Sequence, residues 1–196
     1  MQLHLITDGE KTQRELVRIL TAVHPYVDKI HLREKAKTAR ELADLVTQLL
    51  HQGIEPGKLM INDRVDVAHA FELGGVQLAF HSLDVARVRQ AFPHLEIGCS
   101  IHSVEEAAQA TKKGADFLLY GHVFPTQSKV GLPPRGTTEL KAITTTCQLP
   151  VIAIGGITPK NKHQLVETHV AGLAVMRGIL DATDPIQAVK NYRNIE

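Results

Sequence analysis

EIGCSIHSVEEAAQATKKGADFLLYG, residues 96–121, holds one complete structural unit. EIGCSI (96–101) is a short apolar run of the kind that forms a strand. Ser103 then stands where a helix N-cap belongs, and Glu106 follows three residues on, a capping-box spacing. In VEEAAQATKKG the apolar residues recur every three or four positions, which puts them on one helical face. Gly114 ends that segment as C-terminal glycines do, and ADFLLYG (115–121) opens a second strand.

The same alternation runs through the rest of the chain. LHLIT (3–7), DKIHLR (28–33), KLMIN (58–62), GVQLA (75–79), PVIAIGG (150–156) and GLAVMR (172–177) read as strands. RELVRILTAV, RELADLVTQLL and PIQAVKNY, among the segments between them, have helical spacing. Thr38 is a second N-cap candidate, and Gly53 and Gly74 follow helical stretches. Eight strand–helix units predict a single (β/α)₈ barrel domain spanning residues 1–196, small against the usual ~250. A doubly wound open sheet is the alternative, but strand count and even spacing favour closure.

Composition narrows the function. With 196 residues and 43% hydrophobic content, the chain has enough apolar material for one substantial core. A net charge of +1 and 4% aromatics argue against nucleic acid and against anionic membrane surfaces. Cys99 and Cys147 lack any framework spacing and read as small buried hydrophobes in a reducing compartment. No signal peptide or bilayer-length apolar run is present, so the expectation is a soluble, cytoplasmic protein.

Barrel active sites form at strand C-termini, and here those positions are polar: Asp8, Arg33-Glu34-Lys35, Asn62-Asp63, His81-Ser82, Ser100, His102, His122, Gly155-Gly156 and Arg177-Gly178. Strand alternation puts His31 and Arg33 on one face, with Lys35 continuing it. Two cations there suit a phosphate or carboxylate; the alternative for Lys35 is a solvated rim paired with Glu34 or Asp63. In AIGGIT the paired glycines allow close backbone approach and Thr158-Pro159 opens a helix, so its N–H groups, with those of MRGI, suit a phosphate. A plain tight turn is the alternative. His122 shares strand parity with Leu118 and Tyr120 and precedes a loop carrying Thr126, Ser128 and Lys129. It reads either as a satisfied core histidine or as a proton-transfer group. His4, His24, His51, His69, His94, His163 and His169 read as surface or edge residues, and no HExxH, GxSxG, Walker or GxGxxG pattern occurs.

HLREK, INDR, GVQL, GCSIH, GHVFPTQSK, AIGGI and GLAVMRGI match, in order and spacing, the thiamin phosphate synthase superfamily, which the whole chain resembles. That resemblance implies a (β/α)₈ barrel that, in the synthases, joins a pyrimidine diphosphate to thiazole phosphate with magnesium. The chain departs from the synthase pattern at His31 (Gln there), at Ser82 (a magnesium-binding Asp there) and at His122 (Pro there). It is therefore more similar to the thiazole tautomerase (TenI-type) branch. This implies an isomerase of thiamin biosynthesis that aromatises a 2-carboxy-4-methylthiazol-5-ylidene ethyl phosphate tautomer by proton transfer, with no metal and no cofactor. The resemblance makes His122 and Lys35 the acid/base pair, the Lys35 pKa being lowered by burial. It assigns Thr126, Ser128 and Lys129 to the thiazole carboxylate and Gly155, Gly156, Arg177 and Gly178 to the phosphate. Arg33, Asn62, Met60 and Met176 complete the expected substrate-binding set. A synthase-like coupling enzyme and a non-catalytic thiazole phosphate-binding regulator are the alternatives. The expected partner is a small thiazole phosphate, not nucleic acid or membrane, and a homodimer stays open.

Overall fold

A computed structural model describes residues 1–129 and 131–193. Eight parallel strands close into a barrel in sequence order. They are β1 (Gln2–Ile6), β2 (Lys29–Leu32), β3 (Leu59–Asn62), β4 (Gly75–Leu78), β5 (Glu96–Ile101), β6 (Phe117–Gly121), β7 (Val151–Ile154) and β8 (Gly172–Val175). Closure rests on β8 pairing with β1, where Gln2 registers with Gly172 and Leu5 with Val175. The helices are α1 (Gln13–Val23), α2 (Ala39–His51), α3 (Val65–Ala70), α4 (Val85–Ala91), α5 (Val104–Lys112), α6 (Gly136–Thr146), α7 (Arg177–Leu180) and α8 (Pro185–Arg193).

Local chemistry explains where the helices start. Thr12 with Glu15, and Thr38 with Glu41, form full capping boxes, each satisfying two otherwise orphaned N–H groups. Ser103 caps α5, but Glu106 turns back to the N–H of His102 (2.6 Å) rather than to Ser103. Gly53 and Gly114 take left-handed conformations after their helices, as expected. Gly74 does not. Its place is set by the carbonyl of Gly57, against which a side chain would collide, and Glu72 supplies the left-handed turn. The helix expected from Thr158-Pro159 is also replaced. Thr158 and Asn161 bond each other's backbone N–H groups, and a 3₁₀ segment, Lys162–Thr168, follows.

Two shells of apolar side chains result. Leu3, Leu5, Ile30, Leu32, Leu118, Tyr120 and their counterparts face the helices. Ile6, Met60, Phe117, Leu119, Ile152 and Ala174 fill the lumen. His4 and His31 lie in that lumen, at 1% and 0% exposure, with both rings edge-on to Phe117. The inward placement of His31 follows from strand alternation. His4, read above as a surface or edge residue, is a core residue. Its position on β1 repeats the inward parity of Ile6, two residues on.

Candidate active site at the strand C-termini

Barrel closure brings the polar strand ends to one mouth, and each can be located by its partners. After β2, Arg33 is half-buried and its N–H donates to Thr7 Oγ1 (2.8 Å). Glu34 is buried and faces Lys37 at 3.8 Å. Lys35 is exposed in the following turn, so the burial expected for it is absent. Among the described residues neither Arg33 nor Lys35 has an ion-pair partner, which leaves two cations available to an anion.

At the ends of β3 and β4 lies a closed network. Asp63 has a left-handed backbone (φ 63°), and its N–H reaches the carbonyl of Gln77 (3.2 Å). One carboxylate oxygen accepts the Ser82 hydroxyl proton; the other is 3.1 Å from His81 Nε2. Ser82 Oγ in turn accepts the N–H of Ala79 (2.7 Å). Magnesium, which the synthase resemblance implies, asks for oxygen donors including one or two carboxylates. Here Asp63 is the lone carboxylate of the expected pair and both its oxygens are engaged. Among the described residues no group of three or more His, Cys, Asp or Glu is arranged to hold a metal. The residues do not fit the ion. Ser82→Asp, which rebuilds the pair, should give Mn²⁺ binding by calorimetry that the parent chain lacks; equal binding by the parent would contradict this account.

After β6 the structure changes the reading of His122. Leu118 and Tyr120 face the helices, Tyr120 donating to Glu139 of α6, so their parity does not lead into the lumen. His122 is 6% exposed, with Nε2 3.3 Å from the carbonyl of Leu132 and Nδ1 buried without a partner among the described residues. It therefore sits beneath the loop that follows β6 and not open to the mouth. In that loop Thr126 is half-buried, Ser128 and Lys129 are exposed, and Thr126 Oγ1 takes the Ser128 N–H (3.3 Å).

The β7 and β8 ends complete the mouth. Gly155 (φ 101°) and Gly156 (φ 66°) form a tight turn against the β6 loop: Val123 and Phe124 donate to the carbonyls of Ile154 and Gly155 at 2.9 and 3.0 Å. Asn161 Nδ2 holds the Gly156 carbonyl (2.9 Å). The glycines thus serve loop packing, and the helix expected just beyond them is not there. Arg177 opens α7, its Nη2 3.5 Å from Glu10 and its Nε buried without a partner among the described residues. Met176 is half-buried, Gly178 is exposed and backs onto Tyr192, and Asn62 is half-buried at the β3 end. Met60 is fully enclosed in the lumen, below the mouth.

Phe80, 93% exposed at the rim, and Glu10, which engages Arg177, carry no motif that marks them in the sequence. An isolated aromatic beside a histidine gives no periodic signal. Among the described residues no helix is long and apolar enough to cross a membrane.

Comparison with known proteins bears on the chemistry of this mouth. Residues 3–179 match the family described as thiamine monophosphate synthase. A thiamine-phosphate synthase of Pyrococcus horikoshii is 35% identical over 196 residues, covering 100% of this chain and 94% of the relative. One from Chlorobium luteolum is 38% identical, covering 98% and 92%. The solved thiamine phosphate pyrophosphorylase from Pyrococcus furiosus superposes with a TM-score of 0.82 at 32% identity, covering 98% of this chain and 93% of that one. A 3-hexulose-6-phosphate synthase shares the fold, with a TM-score of 0.75 at 18% identity. The relatives from Pyrococcus horikoshii and Chlorobium luteolum are named thiamine-phosphate synthase, a transferase, and that overturns the isomerase assignment drawn from the sequence departures at Ser82 and His122.

Proposed function

This chain belongs to the thiamine monophosphate synthase family, and from that premise we propose that it carries out synthase-type coupling, in which the thiazole nitrogen of a thiazole phosphate bonds to the methylene carbon of a pyrimidine diphosphate and pyrophosphate leaves. The observation that carries the proposal is the full-length similarity to proteins named thiamine-phosphate synthase. In this reading Arg33 and Lys35, without an ion pair among the described residues, hold the diphosphate. Backbone N–H groups of Gly155, Gly156 and the Met176–Gly178 turn, with the Arg177 guanidinium, hold the thiazole phosphate. Thr126, Ser128 and Lys129 contact the far side of the thiazole. Asn62 lines the mouth between the two, and His122, under its loop, fixes the loop's position.

The test is to incubate the protein with both substrates and quantify thiamine phosphate. Product formation with turnover supports the proposal. Arg33→Ala should then raise the KM for the diphosphate partner by roughly 10- to 100-fold, the scale of a lost charge-assisted hydrogen bond, with little change in KM for the thiazole. An equal effect on both would remove Arg33 from the diphosphate end.

One observation favours a second reading, a non-catalytic binder of thiazole phosphate: the carboxylate of Asp63 is already satisfied by Ser82 and His81. No coupling, together with saturable binding of thiazole phosphate, would establish that reading over the first.

A further inference from the structure

Phe80 is the most exposed large apolar side chain among the described residues. Leaving a phenylalanine in water forgoes the burial that normally stabilises it, so a rigidly presented one invites an explanation. Its presentation is rigid. Phe80 is the second residue of a turn closed by Ser82 N–H to the Ala79 carbonyl (3.0 Å). Both residues that follow it are anchored to Asp63, Ser82 through its hydroxyl and His81 through Nε2. The His81 ring stands edge-on to Phe80, with centroids 5.0 Å apart and planes at 81°. One face of the phenyl ring is thus free while its base is fixed. The turn follows β4, on the β2–β4 side of the mouth where Arg33 and Lys35 stand, away from the glycine turns after β7.

We infer that Phe80 is a specificity-determining residue: an aromatic face on which the flat heterocycle of the diphosphate-bearing substrate stacks while its charge lies against Arg33 and Lys35. The inference rests on the coupling function proposed above. In it the Asp63–Ser82–His81 network has a definite task, which is to hold the platform. Stacking requires only a π face and no hydrogen-bond pattern, so an exposed Phe suffices.

The experiment separates ring from charge by using two probes, the pyrimidine diphosphate and inorganic pyrophosphate, titrated calorimetrically. Phe80→Ala should weaken the pyrimidine diphosphate by roughly tenfold and leave pyrophosphate unchanged. Phe80→Tyr should restore the wild-type value and Phe80→Leu should not, because only the former keeps a π face. Melting temperature should be the same in all three, since the side chain is 93% exposed. Ser82→Ala, which frees the turn, should weaken the pyrimidine diphosphate as well. Wild-type protein that binds pyrophosphate but gains nothing from the pyrimidine ring would overturn the inference alone, as would full affinity in Phe80→Ala. Wild-type protein that binds neither probe would overturn the coupling function, and the inference with it.

Discussion

Gly155→Ala should lower stability by about 3 kcal/mol or more, a large effect for one methyl group. Two costs combine. The residue sits at φ 101°, a region that L side chains avoid, and holding one there costs about 1–3 kcal/mol. The added Cβ would also fall within contact distance of the His122 Cβ and 2.6 Å from its Cα. Relief requires separating the β7 end from the β6 loop, which strains the bonds from Val123 and Phe124 to Ile154 and Gly155. Gly53→Ala is the control, because Gly53 also has positive φ (83°) but open space around its missing side chain. That variant should lose only about 1 kcal/mol. Thermal unfolding measures the difference: Gly155→Ala should melt roughly 6–12 °C below wild type, and Gly53→Ala only a few degrees below. Gly155→Ala should also lose thiazole phosphate affinity, since the turn and His122 move together. Similar melting of the two variants would mean that the Gly155–His122 contact is not tight.

That contact shows which features the sequence could reveal. Strands and caps were legible because their signals are local: apolar runs bounded by glycines, and Thr38 or Ser103 three residues before a glutamate. Which face of a strand is the lumen was not legible. In β6 all five residues of FLLYG are buried, because lumen and helix layer exclude water equally, so no polar face marks a direction. Parity joined Leu118 to Tyr120 but could not say which way they point, and it does not extend to His122, which lies beyond the strand's end at Gly121. His4 was hidden for a related reason. A lone histidine in LHLIT gives no sign of which face is the lumen, and closure of β8 onto β1 helps bury it. The cations after β2 were readable as a pair. The fate of Asp63 was not, because its partners lie 18 and 19 positions away.

The largest pH effect should come from those lumen histidines. Gln2 Oε1 lies 3.1 Å from His4 Nε2, so that nitrogen carries the proton and donates. His4 Nδ1 is then an acceptor, and His31 Nε2–H, 2.9 Å away, donates to it. This chain of bonds requires the His4 ring to be neutral. A proton added to His4 Nδ1 would point at a nitrogen that already carries one, inside an apolar lumen beside Phe117. Burial first, then the Lys29 charge, lowers the His4 pKa from 6.5 to about 4, with Asp28 opposing; burial holds His31 well below its ordinary value too, helped by His4 and Lys29. The sign follows from proton counting. Between pH 6.5 and about 4 the unfolded chain binds protons that the folded chain refuses, so stability falls as pH drops through this window. The His4 contribution is complete near pH 4 and amounts to roughly 3 kcal/mol. Denaturant midpoints at pH 7.5, 6, 5 and 4.5 should decline steadily. His31→Gln keeps an amide beside His4 but removes one titrating ring, so its decline should be visibly shallower. A flat profile for the wild-type chain down to pH 4.5 would mean that the pair tolerates charge, and that the imidazoles reach water in the folded state.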